Sequence, residues 1–299
     1  AREAITALTN GIGTIEGQVT KEGEDTEPPV FSHKGPNEIF AATPTPLTIT
    51  AEDGIAVTNV SLTYRVDQGE WETLKANRTD GNHLKGTYTV QLPELEGENV
   101  TYRWIVKDFG GNEAASDSYT LPIKTSITTG YSQDFEAWPS GWFSGGTKDP
   151  WQWGKPSTGP KQAFSGEHVY ATNLDSPYEN KTDANLSMPL IAVPDSGSSY
   201  LQYQYWHDLE ANYDYVHVYV QPEGEDAVQA TAYTGKTNAW TAGEVDLSAY
   251  KGQKVRVLFQ IRTDGSVTKD GFYLDDVKIT DEALSQQAKN QLGVIKKEK

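Results

Sequence analysis

A chain of 299 residues sets a prior of about two domains. Its formal charge of −17 and pI near 4.7 exclude a general phosphate-backbone binder, so nucleic acid and anionic membrane are poor partners. The absence of Cys excludes disulfides, zinc–thiolate sites and a cysteine nucleophile, without excluding secretion. Apolar content of 36%, with 8 Trp, 16 Tyr and 8 Phe, supplies large side chains for two cores. With 27 Gly, 15 Pro and little helical periodicity, many short strands joined by turns is the expected architecture. No run approaches the ~18 apolar residues of a membrane helix. The chain opens with neither a signal peptide nor Met, and is read as an excised fragment.

In chain order, Ala1 to Leu8 places Ala4, Ile5 and Leu8 at helical spacing, with Asn10-Gly11 as a stop; GIGTIEGQV follows as an exit strand ending at residue 19. Residues 20–29 (TKEGEDTEPP) are charged, carry Gly and Pro and lack an apolar period, which predicts a linker. The first domain is expected over 30–124. Val30 and Phe31, then Leu47, Ile49 and Ala51, then Val60, Leu62, Tyr64 and Val66 alternate as half-buried strands do. Further strands are expected at 86–92, 100–107 and near 118–123. Trp71 and Trp104 are core candidates, and the spacing predicts a Greek-key sandwich. The segment Asp108-Phe109-Gly110-Gly111-Asn112 reads first as a tight turn; a calcium ion shared by Asp108 and Asp53 is the less favoured reading.

Lys124 to Gly130 is the polar boundary, and a second domain is expected over 125–281. Its strands are read at 201–206, 215–221, 243–247 and 254–261, and residues 150–159 (PWQWGKPSTG) as a loop bearing Trp151 and Trp153. The closing segment, GFYLDDVKIT over 271–280, has strand composition yet sets Asp275 beside Asp276. Two adjacent anions in a half-buried strand cost several kcal/mol unless a cation or hydrogen-bond donors answer them. Asp134 and Glu136, around Phe135, form a second acidic pair. If the first and last strands of the sandwich run side by side, these four carboxylates converge, and hard oxygen ligands suit calcium. Hydrogen bonding of each carboxylate to turn amides is the competing reading. Residues 282–299, with Leu284, Ala288 and Leu292 near helical spacing, are either a docked helix or a linker.

The order of segments from Tyr131 to Ile279 resembles jelly-roll modules of the MAM type and their relatives in immune-inhibitor-A-like bacterial proteases. The segments are DFE with Trp142 following, Trp151 and Trp153, Ser165-Gly166, LSMPLI, YLQYQYWHDLE and FYLDDVKI. The resemblance implies a structural calcium between the opening acid and the closing aspartates, which carries over to Glu136 and to Asp275 or Asp276, with Asp134 contributing by carbonyl or side chain. TYRWIVKDFGGN is similar to the closing strands of immunoglobulin-like and fibronectin-type modules. AREAITAL with the segment after it resembles the end of a subtilisin-like protease domain. Together the fold class implied is all-β: an immunoglobulin/fibronectin-III-like sandwich, then a jelly roll, with short helices at the termini.

No catalytic constellation is visible. The five His stand outside any subtilase-like context, no HExxH occurs, and a Ser nucleophile segment is absent. Two further clusters have competing readings. Trp206-His207-Asp208-Leu209-Glu210 with Asp214 reads first as a strand end entering an acidic solvated loop, and second as another calcium site. Trp151 and Trp153 are either core residues or an aromatic platform for a ligand. The function expected is a noncatalytic accessory region of an extracellular, secreted or wall-associated, subtilisin-like serine endopeptidase. Its expected partners are the protease domain in cis and a protein substrate or cell-surface component, with no nucleic acid and no membrane insertion. A carbohydrate-binding module of a glycosidase or adhesin is the alternative.

Overall fold

In a computed structural model, residues 25–41 and 43–285 are described. The helix expected at 1–8, the exit strand after it, the first half of the linker and all but the first residues of the C-terminal segment lie outside them. The chain divides after Lys124 into two compact units.

In the first unit the strands are β1 (Val30–Ser32), β2 (Ile39–Phe40), β3 (Thr45–Glu52), β4 (Val57–Val66), β5 (Glu72–Lys75), β6 (Asn77–Gly81), β7 (Lys85–Leu92), β8 (Asn99–Asp108), β9 (Glu113–Ala115) and β10 (Tyr119–Lys124). They form two facing sheets, ordered β1-β3-β7-β6 and β2-β10-β8-β4-β5, with β9 on β8. All pairs are antiparallel except β2 with β10. A four-strand sheet against one whose middle is β10-β8-β4 is the strand order of an immunoglobulin-type sandwich. Period-two alternation builds its core: Leu47, Ile49 and Ala51 from β3 meet Val100, Tyr102, Trp104 and Val106 from β8.

Trp104 is the core residue expected, but Trp71 is not: its side chain is 45% exposed. It lies in the turn before β5, where the Arg65 and Arg103 guanidinium groups stand 4.9 and 5.7 Å from its ring. Two cations over an aromatic face shield the ring on the outside of the sheet, so burial is not required.

The second unit comprises β11 (Ser132–Gln133), β12 (Phe143–Thr147), β13 (Trp151–Gly154), β14 (Val169–Thr172), β15 (Asp183–Ser187), β16 (Ile191–Ala192), β17 (Tyr200–Asp208), β18 (Tyr215–Pro222), β19 (Val228–Tyr233), β20 (Thr241–Asp246), β21 (Lys254–Arg262) and β22 (Gly271–Thr280). One sheet runs β13-β14-β22-β17-β20 with β11 also on β22; the other runs β12-β15-β21-β18-β19 with β16 on β21. Every pairing between these strands is antiparallel, the arrangement of a jelly-roll sandwich. Val216, Val218 and Val220 of β18 and Val255, Val257, Phe259 and Ile261 of β21 point inward from one sheet. Leu201, Tyr203 and Tyr205 of β17 and Phe272 and Leu274 of β22 answer them from the other.

The segment read as a loop around Trp151 and Trp153 is in part a strand, β13, paired to β14 with Trp151 opposite Thr172 and Trp153 opposite Tyr170. Its flanking Pro150 and Gly154 carry turn chemistry, but an aromatic alternation of four residues suffices for an edge strand.

Candidate functional site

β22 lies in the middle of its sheet and solves its own electrostatic conflict with a β-bulge. Along β17 the partners of Gln202 and Gln204 are Lys278 and Asp275, so two steps on β17 face three on β22. The extra residue, Asp276, takes φ 42°, a left-handed conformation that Asp tolerates better than most side chains. The bulge separates the two carboxylates that sequence sets side by side.

Asp275 is fully buried. Its Oδ2 accepts the backbone N–H groups of Phe164 (2.8 Å) and Ser165 (3.1 Å), and its Oδ1 accepts that of Asp276 (2.7 Å). Asp276 Oδ1 accepts the Ser165 hydroxyl at 2.8 Å. Burial pushes the Asp275 carboxyl up to about 6; the amides of Ser165 and Asp276 oppose that rise, and the charge on Asp276 adds to it.

The opening segment reaches the same loop. β11 pairs with β22, Ser132 opposite Lys278 and Gln133 opposite Val277, so the first and last strands do run side by side. After them Phe135 turns at φ 57° with its ring buried, its N–H held by Gln133 Oε1 at 2.7 Å. Glu136 is thereby aimed outward: its Oε1 accepts the N–H groups of Glu167 and His168, both at 2.8 Å, and its Oε2 accepts His168 Nδ1–H at 3.3 Å. Burial alone would raise the Glu136 carboxyl, but the amides of His168 and Glu167 and the imidazole outweigh it and hold it below its ordinary value. Gly166 lies between the two gripped dipeptides at φ +59°, where an added Cβ would fall 2.3 Å from the Glu136 carboxyl.

Three of the four expected carboxylates therefore meet at one loop, residues 164–168, and clamp it through its own donors. Asp134 does something smaller, accepting the Glu136 N–H at 3.1 Å within its turn. Among the described residues, two groups bring three or more carboxylates with oxygens within 4.8 Å of one another: Asp25–Asp53–Asp108 and Glu210–Asp214–Asp264. Asp134, Glu136, Asp275 and Asp276 form no such group.

Trp151 and Trp153 have different fates. Trp151 is 6% exposed, its indole N–H directed at Ala184 O (3.3 Å), and it packs edge-on to Tyr170 and Phe272. Trp153 is half-buried: it donates to Phe135 O at 2.7 Å, lies under the His168 ring at 5.2 Å and meets the exposed Trp138 edge-on at 5.5 Å. Trp138 and His168 were absent from the sequence-derived candidates; the Trp three residues after Phe135 was the available signal.

The acidic loop after β17 is more ordered than a solvated strand end. Asp214 is fully buried, accepting the Tyr178 hydroxyl at 2.5 Å and the Asp264 N–H at 2.8 Å. Glu210 is raised above its ordinary value by burial first, then by the charges of Asp264 and Asp214. Asp264 and Tyr178 come from segments that no local pattern joins to this loop. In the same region, burial lowers His207, whose Nδ1–H is held by Gly235 O at 2.9 Å.

Residues 155–290 match the family model of the Immune inhibitor A-like MAM domain. The MAM match takes in β14 to β22, hence Asp275, Asp276 and the clamped loop, while Asp134 and Glu136 precede it. Over 298 residues, 99% of this chain, the sequence is 50% identical to bacillopeptidase F of Bacillus subtilis (strain 168), of which it spans 21%. The resemblances read from the sequence, to the end of a subtilisin-like protease domain and to immune-inhibitor-A-like modules, thus accompany a likeness to this one protein along nearly the whole chain. Pre-pro-metalloprotease PrtV of Vibrio cholerae serotype O1 (strain M66-2) is 27% identical over 125 residues, 38% of this chain and 13% of that protein. Immune inhibitor A of Bacillus thuringiensis subsp. alesti is 28% identical over 132 residues, 40% of this chain and 18% of that one. Among solved structures, one of carbohydrate-binding modules from the β-sandwich superfamily aligns with 85% of this chain and 99% of its own, at a TM-score of 0.38 and 14% identity. A likeness that distant carries no argument about ligands.

Proposed function

We propose that this chain is a noncatalytic accessory region of an extracellular subtilisin-like serine endopeptidase, carried in cis with the protease domain. It acts as a spacer, as a guide for protein substrates or as the contact with a cell-surface component. The observation that carries this reading is the 50% identity to bacillopeptidase F across 99% of a chain that spans only 21% of that protein. The MAM match to a family named for immune inhibitor A agrees with it. Ser165 and four of the five His make hydrogen bonds within the fold. Ser165 donates to Asp276, His168 to Glu136, His207 to Gly235 O and His217 to Gln229, while His33 bridges Thr48 O and the Tyr102 hydroxyl. No helix among the described residues is long and apolar enough to cross a membrane.

The test compares the parent protease with and without this region on a short chromogenic peptide and on a large folded protein. Turnover of the peptide is expected to be unchanged, while cleavage of the protein substrate or retention at the cell surface falls. Casein hydrolysis by the purified chain, or indifference of both readouts to the deletion, refutes the proposal. The carbohydrate-binding alternative loses Trp151 to the core and retains the Trp138–Trp153 ridge. Glycan binding abolished by Trp153→Ala, with protein cleavage unaffected, would favour it.

A further inference from the structure

We infer that Asp25, Asp53 and Asp108 form a calcium site at one end of the first sandwich, and that the ion fastens the incoming chain to it. The three come from separate places: Asp53 just beyond the end of β3, Asp108 at the end of β8, and Asp25 on the segment leading into β1. One carboxylate oxygen from each lies within 4.8 Å of the others. That span suits ligands sharing one ion at calcium's ~2.4 Å bond length, and an all-oxygen set favours a hard cation over zinc or copper.

Acidic proximity alone is common, and two further observations separate this cluster from it. First, two of the three carboxylates are buried and Asp25 partly so, and none has a counter-charge among the described residues. Asp53 and Asp108 are 8% and 3% exposed, and no Lys, Arg or His among the described residues pairs with any of the three. Second, Oδ2 of Asp25 is sealed from solvent and has no hydrogen-bond partner. A buried carboxylate oxygen left without a donor, beside two further anions, is a costly arrangement that a divalent cation would relieve.

The other polar contacts position the set. Asp53 Oδ1 accepts the N–H groups of Ile55 and Ala56, both at 2.8 Å. Asp108 Oδ1 accepts Asn112 N–H, and its Oδ2 accepts Asn112 Nδ2, both at 2.8 Å. Asp25 Oδ1 has only a long 3.4 Å contact from Glu27 N–H. Asn112 Nδ2 also reaches Asp25 O at 3.0 Å, tying the incoming segment to the turn after β8. Gly110 allows that approach: a Cβ there would lie 2.6 Å from Asp25 Cβ. The Asp-Phe-Gly-Gly-Asn segment is thus both the tight turn it was read as and the floor of the cluster. With calcium bound, the incoming segment is held by the ion as well as by the Asn112 side chain.

The experiment titrates calcium chloride into the EDTA-stripped full chain, following heat and stoichiometry, for wild type, Asp25→Asn and Asp53→Asn, with Glu136→Gln and Glu210→Gln as controls for the acids of the second unit. Limited proteolysis within residues 20–29 reads the fastening. Asp25→Asn and Asp53→Asn are each expected to weaken one binding event at least tenfold, the controls leaving that event intact. Saturating calcium should slow cleavage of the segment at least fivefold in wild type and not in Asp25→Asn. Should Asp53→Asn fail to fold, Asp25→Asn decides, since it alters only the incoming segment. Wild type that binds no calcium at millimolar concentration, or an Asp25→Asn chain that binds as wild type does, overturns the inference.

Discussion

Replacing Asp275 with Asn tests whether amides or a cation answer the buried carboxylate in the middle of β22. In the structure burial pushes this group from 3.8 to about 6. At about 1.4 kcal/mol per pH unit, the ionised form costs the fold about 3 kcal/mol relative to the unfolded chain. The sign follows from proton counting. Between the unfolded and folded values the native state holds the proton that the unfolded state has released, so stability is greatest at the acid end and is lost as pH rises through about 6. Glu136, held below its ordinary value, works in the opposite sense, contributing stability that is lost as pH falls through its folded value. Comparing wild type with Asp275→Asn at each pH therefore isolates Asp275. Denaturant unfolding of the second unit in EDTA, followed by tryptophan fluorescence, should show wild type losing most of about 3 kcal/mol relative to the variant between about pH 4.5 and about pH 7.5. Repetition in calcium adds a second reading, because a cation at this carboxylate would depress its pKa and reverse the slope. Parallel pH profiles for the two chains in EDTA, or a wild type that gains on the variant as pH rises, would refute the account of the clamp.

Two further substitutions probe the same unit. Gly166→Ala puts a methyl group where φ is +59° and where the Glu136 carboxyl would be 2.3 Å away; a loss of about 1–3 kcal/mol is expected in thermal unfolding, and a change under about 0.5 kcal/mol would mean the loop is not clamped. Trp151→Ala should cost about 3–5 kcal/mol as a core truncation, with Trp153→Ala costing clearly less because its ring is only half-buried; equal, small losses would show that Trp151 is not the core residue its burial indicates.

Much of the strand pattern was legible because alternation is a local signal. β3, β8, β18 and β21 each present one face to a core and one to solvent, and their residues alternate accordingly. β14 and β15 were missed for the complementary reason. Val169–Thr172 is buried on both faces, so it has no polar register to read, and Asp183–Ser187 carries polar residues without a β-branched run. Trp71 misled because size was taken for burial, whereas two arginines on neighbouring strands shield it outside.

What the sequence determined by itself was that β22 carries an electrostatic demand, that the acidic pair Asp134 and Glu136 opens the unit β22 closes, and that the nearest basic side chain along the chain is Lys278, two residues past Asp276. Which groups meet that demand was a tertiary matter. Two of the three donors sit on Phe164 and Ser165, more than a hundred positions from Asp275, and reach it because β14 pairs with β22. The same holds at the other end of the chain, where Asp25 joins Asp53 and Asp108. Side-chain type and spacing fix the charge to be satisfied, since they set the local cost of burial. The partner is decided by strand pairing, which brings backbone amides from more than a hundred positions away to 2.8 and 3.1 Å from the carboxylate without leaving a trace in local composition.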